Sequence, residues 1–147
     1  MLDRICSILS VTFVMPITSN ILHHNLAHLY PLLADKISDY MDSRDCTTIY
    51  GETPRGDQDY ETALDCFNKM LEINLELESL VRDSIKLAQQ TNDYTTKVYL
   101  EDYLEKLIPI TKDILLLVDK AEMYGGSDVG MMKLDHDITS FGIFGGE

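Results

Sequence analysis

Length, composition and charge indicate one acidic globular domain. The 147 residues include 25 acidic and 12 basic side chains, for a formal net charge of −13, and 45% of them are hydrophobic. That apolar content excludes a disordered chain, and the length suits a single domain. The negative charge argues against direct binding to nucleic acid or to an anionic membrane.

The N-terminal segment and the cysteines bear on where the protein functions. Residues 5–17 are apolar but too few to span a bilayer, and Asp3 beside Arg4 differs from the basic start of a signal peptide. The three cysteines are widely spaced, and no two of them form a CxxC motif. They are Cys6, Cys46 and Cys66. They are predicted to be free thiols in a reducing compartment, so the expected location is cytoplasmic.

Residues 2–44 show a helical apolar pattern that contains Pro16 and Pro31. The chain could fold back near Pro16, where a following Thr, Ser or Asn could cap the next helix. It could instead fold back at Pro31, with that proline opening a new helix. A single helix kinked at one proline is the third alternative. The pattern does not separate the three.

Residues 45–58 lack a helical period and are predicted to be a connection between helices. Its length lets the chain cross a bundle, so the second and third helices need not be adjacent. Asp57 or Asp59 is expected to cap the helix that follows.

Residues 59–122 are predicted to form two long antiparallel helices. The helices are joined by a short turn in which Asn92 suits the end of one and Asp93 the start of the next. Pro109 is expected to kink the second helix, and Gly125-Gly126 to end it. The first helix carries two apolar stripes: Leu64, Phe67, Leu71 and Leu75, then Ala63, Cys66, Met70, Ile73, Leu77 and Leu80. The second helix carries one: Leu100, Tyr103, Leu107, Ile110, Ile114, Leu117 and Ala121.

Such a pair of helices leaves apolar surface that further helices must cover, which predicts an all-α four-helix bundle over residues 1–126. Residues 127–147 are predicted to be a Gly-rich C-terminal tail. The apolar residues 141–146 make the tail either frayed or able to dock on a neighbouring subunit. Asp135-His136-Asp137 within it is expected to be solvated.

Histidines and aspartates on the N-terminal helices are the candidate metal ligands. On one continuous helix, a shared face would carry His24, His28, Asp35, Asp39 and Asp42. Two imidazoles with carboxylates suit iron or zinc. The alternative is an exposed polar face without a metal. Glu78 lies at core spacing on the third helix and is expected to point inward.

Two stretches resemble the Dps miniferritins. Residues 70–88 with the turn 92–96 are similar to the third helix and following turn of that family. Leu29-Tyr30, Leu33-Ala34-Asp35 and Ile37 are similar to its second helix. The resemblance covers most of residues 20–120. It implies a ferritin-like four-helix bundle with a crossover between the second and third helices, assembled as a homo-oligomer that oxidises and stores ferrous iron.

The ligand motifs depart from the family pattern. His24-Asn25 stands where the family has His-Trp-Asn. The family's second histidine, in a Leu-His pair, is matched by Leu22-His23 or by Ala27-His28, neither with the usual spacing. The later acidic positions fall at Ser38 and Asp42, with Asp39 as a substitute for the missing acid. A lysine-rich DNA-binding tail is absent from the sequence given. Two functions therefore remain open. The first is a ferroxidase with iron between His24, His28 and one or more of Asp35, Asp39 and Asp42, a site that a subunit interface could complete. The second is a non-catalytic interaction or assembly protein, for example a structural or phage-type protein.

Overall fold

A computed structural model describes residues 1–52 and 59–145, and these contain helices but no β-strand. The elements in chain order are α1 (Leu2–Val11), α2 (Pro16–Leu22), a π-helix called π1 (His23–Ala27), α3 (Leu29–Ser43), α4 (Ala63–Gln90), α5 (Tyr94–Met123), α6 (Asp128–Asp137) and two 3-10 turns, Ile138–Phe141 and Ile143–Gly145. The predicted all-α class is confirmed. None of the described helices is long and apolar enough to cross a membrane. The chain divides into two compact units, Met1–Tyr60 and Glu61–Glu147.

In the first unit the chain folds back immediately before Pro16. Val14 has a left-handed backbone with φ of 54°, and Pro16 is the first residue of α2, where its missing N–H costs nothing. The side chains of Ile5, Leu9 and Leu22 are fully buried where α1 packs on α2. Of the three alternatives for the N-terminal region, the structure therefore has the reversal at Pro16.

Pro31 does not end the helical run. It lies in the first turn of α3, directly after π1. Proline has no N–H to donate to the carbonyl four residues earlier, and its ring crowds that carbonyl, so a regular α-helix cannot continue unchanged there. A π-turn just before the proline is one of the known ways in which a helix absorbs such a disruption.

The second unit begins with a capped helix. Thr62 caps α4: its hydroxyl accepts the N–H of Asp65 at 3.1 Å, and the Asp65 carboxylate accepts the N–H of Thr62 at 2.8 Å. The prediction of Asp59 as the cap is thus wrong, because this reciprocal pair begins the helix three residues later. Asp57 lies outside the described residues, as do residues 53–58 of the predicted connection. Its described part, residues 45–52, contains no helix.

The turn between α4 and α5 follows the prediction closely. Asn92 is left-handed with φ of 60°, and the Asp93 N–H donates to the Ala88 carbonyl at 2.9 Å, which closes a Schellman motif. The Asp93 carboxylate then accepts the N–H of Thr96 at 3.1 Å as the cap of α5. Helix α5 continues through Pro109 and ends before Gly125, as predicted, because the left-handed φ of 81° at Gly125 does not fit an α-helix.

The inward-facing line of α4 contains polar residues. Its buried positions, spaced three or four apart, include Phe67, Met70, Asn74, Glu78 and Val81. Glu78 is only 6% exposed, so the prediction that it points inward is confirmed. Leu75 and Leu80 were predicted to lie in the apolar stripes, but they are exposed because they fall beside this line.

The C-terminal segment folds back within the second unit. Its buried apolar side chains are Met131, Leu134, Ile138 and Ile143. The Phe144 N–H donates to the Asp113 carboxylate on α5 at 2.8 Å. The alternative of a frayed tail is wrong for residues 128–144. Docking of the tail on a neighbouring subunit, and the division of the chain at residue 126, stay predictions.

The expectation that residues 135–137 are solvated is wrong for two of the three. Asp135 is buried, and the Asp137 carboxylate accepts the Tyr124 hydroxyl at 2.8 Å, whereas His136 is exposed. Hydrogen bonds with His136 and, secondarily, with Tyr124 lower the pKa of Asp137. These aspartates are held because α6 is an ordered helix that packs against α5.

Candidate metal centre

The π-helix decides how the histidines of the first unit are arranged. The His28 N–H donates to the His23 carbonyl at 3.3 Å, a bond that spans five residues instead of four. Leu22 and Leu26 are buried and anchor the segment in the core of the unit. The Asn25 amide donates to the Ile21 carbonyl at 2.8 Å. The wider turn is therefore held in place on its buried side.

Three histidine side chains converge at this turn. One possible ligand nitrogen from each of His23, His24 and His28 lies within 4.8 Å of the other two. The ring centroids of His23 and His28 are 4.6 Å apart, and those of His24 and His28 are 5.9 Å apart. His23 is half-buried, and the other two are exposed. In a regular α-helix, residues five apart point about 140° away from each other, so His23 would not meet His28.

The surroundings of the three histidines include one carboxylate and one buried thiol. Asp3 on α1 brings its Oδ1 to 3.6 Å from the His23 Nε2. Both residues line a cleft of about 380 Å³ that Cys6 also borders. Burial, and secondarily the charge of Asp3, raises the pKa of the Cys6 thiol to about 11. Cys6 is therefore protonated at neutral pH in the metal-free protein, and it does not belong to the group formed by the three histidines.

The predicted ligands are only partly brought together. His24 and His28 meet as expected, and His23 joins them. Asp35, Asp39 and Asp42 are exposed on α3 and do not belong to the group. The prediction placed the five residues on one face of a continuous α-helix, but Asp35 follows His28 by seven residues, which is roughly 10 Å along a helix axis, so a shared face does not bring its carboxylate to the histidines. His23 was considered only as part of a family Leu-His pair and was left out of the predicted ligands, because a regular helix places it on a different face from His28. The signal available in the sequence was a proline three residues after the last histidine.

Glu78, a buried carboxylate of the second unit, is engaged by protein groups at both of its oxygens. Glu78 accepts a hydrogen bond from Arg82 at 2.7 Å through Oε2 and one from the Thr111 hydroxyl through Oε1. Thr111 also accepts a hydrogen bond from the Asn74 amide. Throughout residues 1–52 and 59–145, no other three His, Cys, Asp or Glu side chains come as close together as the three histidines do.

Three neutral imidazoles are a donor set that borderline divalent metals accept. Imidazole suits zinc, copper, iron and nickel, whereas calcium and magnesium prefer carboxylate and carbonyl oxygens. The group thus fits a transition-metal ion, and three protein ligands leave further coordination positions open.

Comparison with known proteins places the chain in a family. The family model of the ferritin-like domain matches residues 32–123, and this range is more than half of the chain. The chain therefore belongs to the ferritin-like domain family. No curated protein and no solved structure matches it. The three histidines lie N-terminal to the matched range, whereas Glu78 and the aspartates of α3 lie within it.

Proposed function

We propose that this ferritin-like protein binds a divalent transition metal through His23, His24 and His28, and that ferrous iron is its substrate. The observation that carries the proposal is the convergence of the three imidazoles at π1. Each ferrous ion taken up gives one electron to an oxidant such as dioxygen or peroxide, and the ferric product is stored or removed from harmful chemistry.

The family membership supports iron among the metals that imidazole accepts. Histidine binds a metal ion through a nitrogen of the neutral imidazole ring, so metal binding releases a proton only from a ring that was protonated beforehand. This chain's contribution is to hold the three rings at one point, because the buried Leu22 and Leu26 fix the backbone that carries them.

Assembly is part of the proposal. We propose a cytoplasmic homo-oligomer without a nucleic-acid partner. Asp35, Asp39 and Asp42 would then supply carboxylates to the histidine group of a neighbouring subunit. Their exposure supports this, because exposed side chains are free to face another copy of the chain.

The test is a double substitution, His24→Ala with His28→Ala. Protein purified without chelator is analysed for iron and assayed for ferrous oxidation. We expect the variant to lose bound iron and oxidation while it keeps its helicity, with a stability change within about 0.5 kcal/mol, as for exposed residues generally. The matched control is His136→Ala, which removes an exposed histidine of the second unit and should leave both readouts unchanged. Iron retained at parental stoichiometry in the folded double variant would overturn the proposal.

A second candidate is a non-catalytic ferritin-like protein that serves in assembly. The engagement of Glu78 by Arg82 and Thr111 favours it, because this buried carboxylate is then unavailable to a metal. In that case the parent protein contains no iron, and its oxidation rate equals that of the double variant.

A further inference from the structure

We propose that Asp3 is a positioning residue for the three-histidine site, and this inference rests on the proposed function. Asp3 orients the His23 ring so that Nδ1 is presented to a borderline divalent cation, while Nε2 keeps its proton and faces the carboxylate. The site so defined takes ions of the class of Fe²⁺, Co²⁺, Ni²⁺ and Zn²⁺.

The geometry places Asp3 at the outer side of His23. The Asp3 Oδ1 lies 3.6 Å from Nε2, at ion-pair distance and slightly beyond a hydrogen bond, so a small ring rotation completes the contact. The same ring is in edge contact with His28, with centroids 4.6 Å apart. His23 therefore lies close both to a carboxylate and to the other two candidate ligands.

The backbone that carries Asp3 is fixed relative to π1. The Ser19 hydroxyl of α2 donates to the Cys6 carbonyl of α1 at 2.7 Å. Ile5 and Leu9 of α1 are fully buried. Because α1 also packs against π1 itself, the separation between Asp3 and His23 is set by the core and not only by two surface side chains.

The chemistry of imidazole explains what the carboxylate contributes. A neutral imidazole binds a metal through one nitrogen and carries a proton on the other, and the hydrogen-bond partner of the protonated nitrogen selects the tautomer. A carboxylate in that position fixes the ring and raises the basicity of the ligating nitrogen. In the part of the chain that the structure describes, Asp3 is the one acidic residue that lies within ion-pair distance of any of the three histidines.

The experiment is a titration with Co²⁺, whose visible absorption reports the ligand field, on the full chain in four forms. Loss of an outer carboxylate typically weakens metal binding about 10- to 100-fold, and we expect that loss for Asp3→Asn. Asp3→Glu should restore part of the affinity. Glu52→Gln removes the same charge from an exposed position in the first unit outside the histidine group, and it should bind like the parent.

A second measurement uses the parent protein alone and does not depend on how a variant folds. Imidazole ¹⁵N spectra of the Zn²⁺-loaded protein should show His23 ligated through Nδ1 and protonated at Nε2. Ligation of His23 through Nε2 would overturn the inference, as would Co²⁺ binding by Asp3→Asn within about twofold of the parent.

The two proposals fail in different ways. A parent protein that binds no Co²⁺, or binding that persists after all three histidines are replaced by alanine, overturns the proposed function. Binding that requires the histidines but is indifferent to Asp3 overturns only the role of Asp3.

Discussion

Cys6 is a buried thiol whose surroundings raise its pKa. Burial and the nearby Asp3 raise its pKa from 9.0 to about 11. Between these two pH values the unfolded chain binds fewer protons at this residue than the folded chain does. Stability contributed by the protonated thiol is therefore complete below pH 9 and is lost as the pH rises towards 11.

This predicts a pH-dependent difference between the parent and Cys6→Ala. We expect the free energy of unfolding of the parent to fall between pH 8 and 10.5 by on the order of 2 kcal/mol more than that of the variant. Urea unfolding at several pH values measures the difference. Cys46 is an exposed thiol, and Cys46→Ala is the control that should keep the steeper decline of the parent. Parallel pH profiles for the parent and Cys6→Ala would contradict the prediction.

Thr111 is the shared partner of two buried polar groups on α4. Its hydroxyl donates to Glu78 and accepts from Asn74, and all three residues are buried. Valine has the same shape as threonine without the hydroxyl. It would leave both partners buried with one hydrogen bond fewer, and an unsatisfied buried group costs about 1–3 kcal/mol.

We therefore expect Thr111→Val to lower the free energy of unfolding by about 2 kcal/mol or more in chemical denaturation. Thr111→Ser keeps the hydroxyl and should lose less than half as much. Equal stability of the valine and serine variants would show that the methyl group, and not the hydrogen-bond network, matters at this position.

At the scale of elements, the α4–α5 turn is defined by one left-handed residue. Asn92 has φ of 60°, a conformation that costs most L-residues about 1–2 kcal/mol and that glycine adopts freely. Asn92→Ala should therefore lower stability by about 1 kcal/mol, whereas Asn92→Gly should be neutral or stabilising. Thermal unfolding of both variants checks this. An alanine variant as stable as the glycine variant would mean that the turn changes its conformation.

The π-helix is the other element with consequences for the site. Its wider turn brings His23 beside His28, whereas a regular α-helix would place these two residues on different faces. The aspartates of α3 stay outside the histidine group because the nearest of them in sequence follows His28 by seven residues, roughly 10 Å along a helix axis. A helix with one π-turn therefore presents a different set of ligands from the set that a 3.6-residue period predicts.

At the scale of the whole molecule, the second unit includes the C-terminal segment in its core. Leu134 of α6 is fully buried, whereas Met132 on the same helix is 57% exposed. Leu134→Ala should lower the free energy of unfolding by about 2–5 kcal/mol, as large-to-small core changes do. Met132→Ala is the matched control and should change it by within about 0.5 kcal/mol. Similar denaturation midpoints for the two variants would contradict the packing of α6 on α5.

The sequence alone determined the helical class, the α4–α5 pair and its turn. These follow from local rules: an apolar period over many residues, an asparagine that tolerates a left-handed backbone, and an aspartate that caps the next helix. The free state of the cysteines also followed from their number and spacing. The ferritin-like superfamily implied by residues 70–96 agrees with the domain match, which does not distinguish the Dps miniferritins within it.

Only the tertiary structure decided where the N-terminal region folds back and which histidines meet. Pro16 and Pro31 carry the same local signal, and the difference between them lies in the burial of Ile5, Leu9 and Leu22, which needs α1 to pack on α2. The fold of the tail likewise depends on the surface that α5 offers to α6 and to the turn Ile143–Gly145. The site contains His23 because helical register is set by the packing of the whole segment, and a residue-spacing rule assumes a regular turn that this segment does not have.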